Sequence, residues 1–215
     1  MSIKETVISH AGALGPDLQD TMARAMASAS RDISSLPHDK YPHLRPHITR
    51  AYWREELEKT TLPMGWTLGG NPRRNGQTSL IHPELNAEMR IMKERRRTYP
   101  GGVPTAGLSP SRRKYWDGTG TPPMEGLEIP AGSLPQFEPL NLLLCWDYAT
   151  SENQTDFKLR VVHTLEPGHY GEAVKCDIII DIQQDGGLHR YSRFEGSEDH
   201  EDFFNFDFRK EENAT

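Results

Sequence analysis

Cysteine is scarce: the chain of 215 residues has two, Cys145 and Cys176. Two thiols build neither a disulfide framework nor a CxxC metal knuckle, and this scarcity points to a reducing compartment, so cytoplasmic placement is the expectation. Long apolar runs are missing too. The longest is Leu142-Leu143-Leu144-Cys145-Trp146, far short of the ~20 residues a membrane helix needs. The opening MSIKETVISH carries no apolar signal core. No contact with membrane is therefore expected. Strong core formers are thin as well: Leu, Ile, Val and Phe together number 42 of 215, near the level at which a chain stops being able to bury enough to order itself. There is no GxSxG elbow, no GxGxxG and no GK[ST] loop, so neither nucleophile-elbow hydrolysis nor nucleotide-dependent catalysis is supported and no cofactor is implied.

What is present is unevenly spread. Residues Pro139 to Phe194 hold 16 of the 42 core formers, which places the densest core there. Residues 61–135 instead carry 10 Pro and 11 Gly in 75 positions, a composition typical of irregular extended chain. The expected organisation is one domain overall, in four parts: a helical segment over 1–60, a Pro/Gly-rich basic arm over 61–138, a sheet core over 139–194, and an acidic aromatic tail over 195–215.

Charge follows similar lines. Residues 73–114 hold 10 Lys and Arg against Glu84, Glu88 and Glu94, whereas 115–194 hold 5 basic against 12 acidic groups and 195–215 hold 2 against 8. A basic block followed by two acidic ones can pair within one fold, between copies, or with separate partners.

Periodicity supplies the elements. Pro16 suits a first helical turn, and Leu18, Met22, Met26, Ala29 and Ile33 recur at three- and four-residue steps, predicting a helix from Gly15 to about Ser35. A shorter helix is predicted over 49–60, and a third over 84–97, opened by Pro83 and striped by Leu85, Met89 and Met92. From Pro139 the period becomes two, giving strands over 140–148, 157–165, 174–183 and 188–194, the last two joined through Asp185-Gly186-Gly187. Short connections between them argue an antiparallel meander. The fold class expected is α+β: N-terminal helices packed on a small antiparallel meander sheet, with a long Pro/Gly-rich irregular arm between them.

Candidate sites are few. His38, His43 and His47, with Asp39 among them, have metal-ligating chemistry, but Pro42 and Pro46 are read as keeping His43 and His47 from standing one helical turn apart, so these histidines read as structural or solvated. His163 lies on the apolar parity of its strand and reads as a hydrogen-bonded core residue. Asp147 followed by Asp156-Phe157-Lys158 has the outline of a metal-dependent nuclease centre, two carboxylates and a lysine, although an acid-x-Lys spacing is common by chance. Cys145 and Cys176 read as small buried hydrophobes.

The basic clusters are the strongest signal: Arg90, Lys93, Arg95, Arg96 and Arg97, then Arg112, Arg113 and Lys114, beside Tyr99, Tyr115 and Trp116. Guanidinium groups bind phosphates and adjacent aromatics can stack on bases, so nucleic acid is a possible partner through residues 73–114 beside protein contact or an inert surface, yet a sequence pI near 5.8 argues against a dedicated nucleic-acid binder. In the tail, Phe204, Phe206 and Phe208 alternate with polar residues, so 203–208 is expected to be a buried extended strand, on the chain's own sheet or donated to a partner. The functional expectation is a non-enzymatic interaction or assembly protein, contacting protein partners or copies of itself through the arm and the tail. The alternative is a metal-dependent enzyme that processes nucleic acid.

Overall fold

The structure is a computed structural model that describes residues 3–37, 40–73, 76–117, 139–149, 156–183 and 187–191. Two helices, α1 (Ile3–Asp32) and α2 (Leu44–Glu58), are followed by strands β1 (Thr67–Gly69), β2 (Ser79–His82) and β3 (Ala87–Lys93), a short helix α3 (Pro110–Trp116), and strands β4 (Leu140–Tyr148), β5 (Phe157–Thr164), β6 (Cys176–Ile182) and β7 (Leu188–Tyr191). All seven strands form one sheet in sequence order. Neighbours are antiparallel except β3 and β4, which run parallel in the register Met89↔Leu142 and Ile91↔Leu144. A parallel pair needs a crossover, and here that crossover carries α3.

The class is α+β with helices preceding the main sheet, and the β4–β7 meander is present. The sheet is nevertheless neither small nor purely antiparallel. The stretch expected to be an irregular arm contributes three of its strands, and the expected helix over 84–97 is instead β3. The stripe Leu85, Met89, Met92 competes there with Ala87, Met89, Ile91 at period two, and the latter three are the buried ones. Pairing to β2 on one side and β4 on the other satisfies the backbone of β3 and overrides its helical propensity.

The first helix also begins earlier than Gly15 and contains Pro16 in its interior. An interior proline costs about 3 kcal/mol. Val7, Ala11 and Leu14, all N-terminal to it, are buried, and full burial of one large aliphatic side chain stabilises by ~1.5–3 kcal/mol. Burial of these side chains offsets the cost of the proline. Pro46 sits in the first turn of α2, where an N–H has no intrahelical partner in any case, so that helix starts at Leu44 rather than 49.

Two cores flank the sheet. On one face α1 and α2 cover Leu80, Met89, Leu142, Leu144, Trp146, Leu159, Val161 and Ile180. The Trp53 indole donates to Thr21 Oγ1 at 3.0 Å, and that hydroxyl donates to the Asp17 carbonyl at 2.7 Å, which joins the helices while satisfying buried polar groups. On the other face Val103, Ala106, Tyr115 and Trp116 of the crossover cover Leu143, Cys145, Val162 and Cys176. A strand buried on both faces reads as the near-continuous apolar run seen at Leu142–Trp146.

The sheet wraps α1. His10 packs against Trp66 and His82 at the β1–β2 edge, while a Cβ at Gly12 would lie 3.5 Å from the Leu188 side chain at the β7 edge. His10 and Gly12, two positions apart on the helix, lie about 200° apart around its axis. The two sheet edges thus grip opposite flanks of one helical turn. No helix among the described residues is long and apolar enough to cross a membrane.

Candidate interaction surface on the crossover

The crossover leaves β3 through a tight loop built on a buried carboxylate. Glu94 has a side chain 1% exposed, paired with Arg160 through Oε1 and with Arg96 Nε through Oε2 at 2.7 Å. Arg160 also donates to the Gly101 carbonyl. The loop closes by backbone bonds, Arg95 N–H to the Gly102 carbonyl and Gly102 N–H to the Tyr99 carbonyl, each at 2.9 Å. Gly102 has φ +81°, and a Cβ there would lie 2.8 Å from Glu94 Oε2, so both conformation and space demand glycine.

Further along, α3 is fastened by its aromatics. The Tyr115 hydroxyl lies 2.7 Å from the Glu88 carbonyl oxygen and 2.9 Å from that of Leu142, bridging the parallel strands. The Trp116 indole donates to the Pro104 carbonyl at 2.8 Å, and Thr164 Oγ1 donates to the Trp116 carbonyl at 2.7 Å. Burial holds the Tyr115 phenol well above the usual tyrosine range.

Against this scaffold the eight basic residues singled out in the sequence separate into two groups. Three are paired with acids of the fold, Arg90 and Lys93 half-buried and Arg96 exposed. Arg90 stacks 3.9 Å over the Tyr115 ring and pairs with Glu88 at 3.3 Å, Lys93 pairs with Asp147 at 2.5 Å, and Arg96 pairs with Glu94. The other five, Arg95, Arg97, Arg112, Arg113 and Lys114, are exposed. Pairing of the basic block with the acidic ones, one of the sequence expectations, is met by Lys93 with Asp147, whereas Arg90 and Arg96 pair with Glu88 and Glu94 inside the basic block and the other five face solvent.

The remaining candidates are dispersed. Asp147 stands opposite Lys158 across β4–β5, and the Asp156 carbonyl accepts from Ala149 N–H at 2.9 Å. The Asp147 carboxylate, however, is engaged by Lys93, with Arg96 Nε 3.9 Å from its other oxygen. His43 occupies the position just before α2 without making a side-chain capping bond, and His47 lies in the first turn, so the two do stand one helical turn apart, contrary to the reading of Pro42 and Pro46. Arg50 Nη2 lies 2.9 Å from His47 Nδ1. Among the described residues no three of His, Cys, Asp and Glu come together as a metal site. His38 and Asp39 lie outside the described residues, as do Phe204, Phe206 and Phe208.

His163 has its Nδ1 2.6 Å from Asp177 Oδ1, where β5 and β6 slip register. Cys145 and Cys176 are free and buried, and burial pushes the Cys145 thiol far up. Sequence reasoning missed Arg160, whose partner is 66 residues away, and gave no role to His10 or His82. No local pattern marks any of the three. No known family model matches this chain, and neither curated proteins nor solved structures show a significant similarity to it.

Proposed function

We propose that this is a binding protein whose β3–β4 crossover presents Arg95, Arg97, Arg112, Arg113 and Lys114 to an acidic protein surface, foremost that of a second copy of the same chain. The observation that carries this reading is the division of the basic residues. Arg90, Lys93 and Arg96 are paired with acids of the fold, and five further cations on the crossover are exposed. Residues 115–215 hold 20 acidic against 7 basic groups, a charge opposite in sign to that of the exposed cations. The acidic segment with Phe204, Phe206 and Phe208 enters as a companion contact for the same partner.

A charge-reversed chain tests it: Arg95→Glu, Arg97→Glu and Arg113→Glu together, with mass measured by light scattering at low and high salt. The wild type should associate at low salt and dissociate as salt screens the contact, whereas the variant should stay monomeric with an unchanged melting temperature. Association indifferent to salt and to the three changes would remove the crossover from the mechanism. Binding of the wild type to duplex or single-stranded nucleic acid, lost in the variant, would move the surface to a different partner class. The metal-dependent nuclease is the weaker proposal, because Lys93 and Arg96 already occupy Asp147.

A further inference from the structure

We propose that His10, His82 and Trp66 form a pH-sensitive latch that fastens the first half of α1 to the β1–β2 edge of the sheet and releases it on acidification. The three rings pack edge to face, with centroids 5.0 Å apart for His10–His82, 5.3 Å for Trp66–His82 and 6.0 Å for His10–Trp66. All three residues are buried. The turn that delivers Trp66 is wound tightly, with Met64 at φ 54° and Gly65 at φ 80°, and it brings the indole N–H within 3.0 Å of His10 Nδ1.

Hydrogen-bond polarity sets the protonation state. An indole nitrogen only donates, so His10 Nδ1 accepts and its proton resides on Nε2. The Leu85 N–H likewise donates to His82 Nδ1 at 3.3 Å. Each ring is held as the neutral Nε2–H tautomer. Neither ring can offer a lone pair to a metal without losing its bond, so the pair is not a metal site. Protonation of His10 at Nδ1 would set two donors against each other and place a charge in a buried position beside a second imidazole.

The titratable surroundings are sparse. On α1 the residues one turn to either side of His10 are Thr6, Val7, Ala13 and Leu14, none of them charged. The 63–66 turn contributes no ionisable group, and from β2 and the turn after it come His82 and the exposed Glu84. No ion pair to either imidazole occurs among the described residues. Burial, and secondarily the His82 field, hold His10 below the ordinary histidine range.

The sign follows. The folded His10 binds its proton less readily than the unfolded one, so stability is full above the unfolded value of about 6.5 and declines as pH falls below it, until the folded group titrates. For one proton the opening constant rises at most about tenfold per pH unit in that window. What opens is local, because the latch ties only the turn and the β2 end to α1.

Hydrogen exchange of the full chain, read by mass spectrometry and corrected for intrinsic pH dependence, tests the latch. Between pH 7.5 and 5 the α1 segment 3–14 should lose protection while α2 keeps its own. His10→Asn retains an acceptor for the Trp66 indole but takes no proton, and its α1 protection should be flat with pH. Long-range ¹H–¹⁵N spectra of the wild type supply a readout that does not depend on the variant folding: His10 should show the Nε2–H tautomer at neutral pH and titrate below the ordinary histidine range. A His10 that titrates at or above that range overturns the latch, as does an α1 profile identical in wild type and His10→Asn.

Discussion

At the scale of single residues, the crossover depends on one buried carboxylate. Glu94 neutralises Arg160, whose side chain is only 12% exposed. Removing one partner of a buried pair leaves an uncompensated charge and costs about 3–5 kcal/mol. Glu94→Ala should therefore lower unfolding free energy by roughly that amount in urea titrations, whereas Arg97→Ala, exposed, should stay within about 0.5 kcal/mol of wild type. Gly102→Ala should cost more than about 1 kcal/mol, since it imposes a Cβ at positive φ against Glu94. Tyr115 gives a pH signature of opposite sense to His10. Its folded phenol ionises only well above the ordinary value near 10, so stability should fall as pH rises past about 10, by up to ~1.4 kcal/mol per pH unit for this group. Tyr115→Phe should remove that part of the alkaline decline. The basic residues were conspicuous in the sequence, but which of them are paired was not: Lys93 meets Asp147 54 positions away, and Arg96 shares Glu94 with Arg160, 66 positions from it.

At the scale of elements, the strands from 140 onward were legible because their alternation is uninterrupted and their connections are short. β3 was not. Its sequence AEMRIMK satisfies both periods, and only its two neighbouring strands decide between them. As an interior strand of the sheet it should exchange its amide hydrogens as slowly as β4, β5 and β6, while the three-residue edge strand β1 exchanges quickly. Native-state exchange showing 87–93 as labile as β1 would contradict this placement. α3 escaped notice because seven residues are too few to show a helical period, and it is Tyr115 and Trp116 that hold it in place.

At the scale of the whole molecule, the governing feature is a sheet curled around α1 with its two edges on opposite flanks. Gly12 probes the closeness of that grip. A methyl group there meets Leu188 at ordinary contact distance, so Gly12→Ala should stabilise by up to about 1 kcal/mol through helix propensity. Gly12→Leu should instead overpack the β7 edge and destabilise by ~1–3 kcal/mol, both measurable as shifts in melting temperature. By itself the sequence determined the α+β class, the order of helices before the main sheet, the β4–β7 alternation and the uneven placement of charge, because each follows from composition or from a period expressed within a few residues. Only the tertiary structure decided that the Pro/Gly-rich stretch adds three strands, that β3 and β4 run parallel, that Lys93 reaches Asp147 on the neighbouring strand, and that His10 meets His82. Those outcomes depend on pairings between residues far apart in the chain, and such contacts form only when burying both faces of the sheet outweighs the local preferences of each segment.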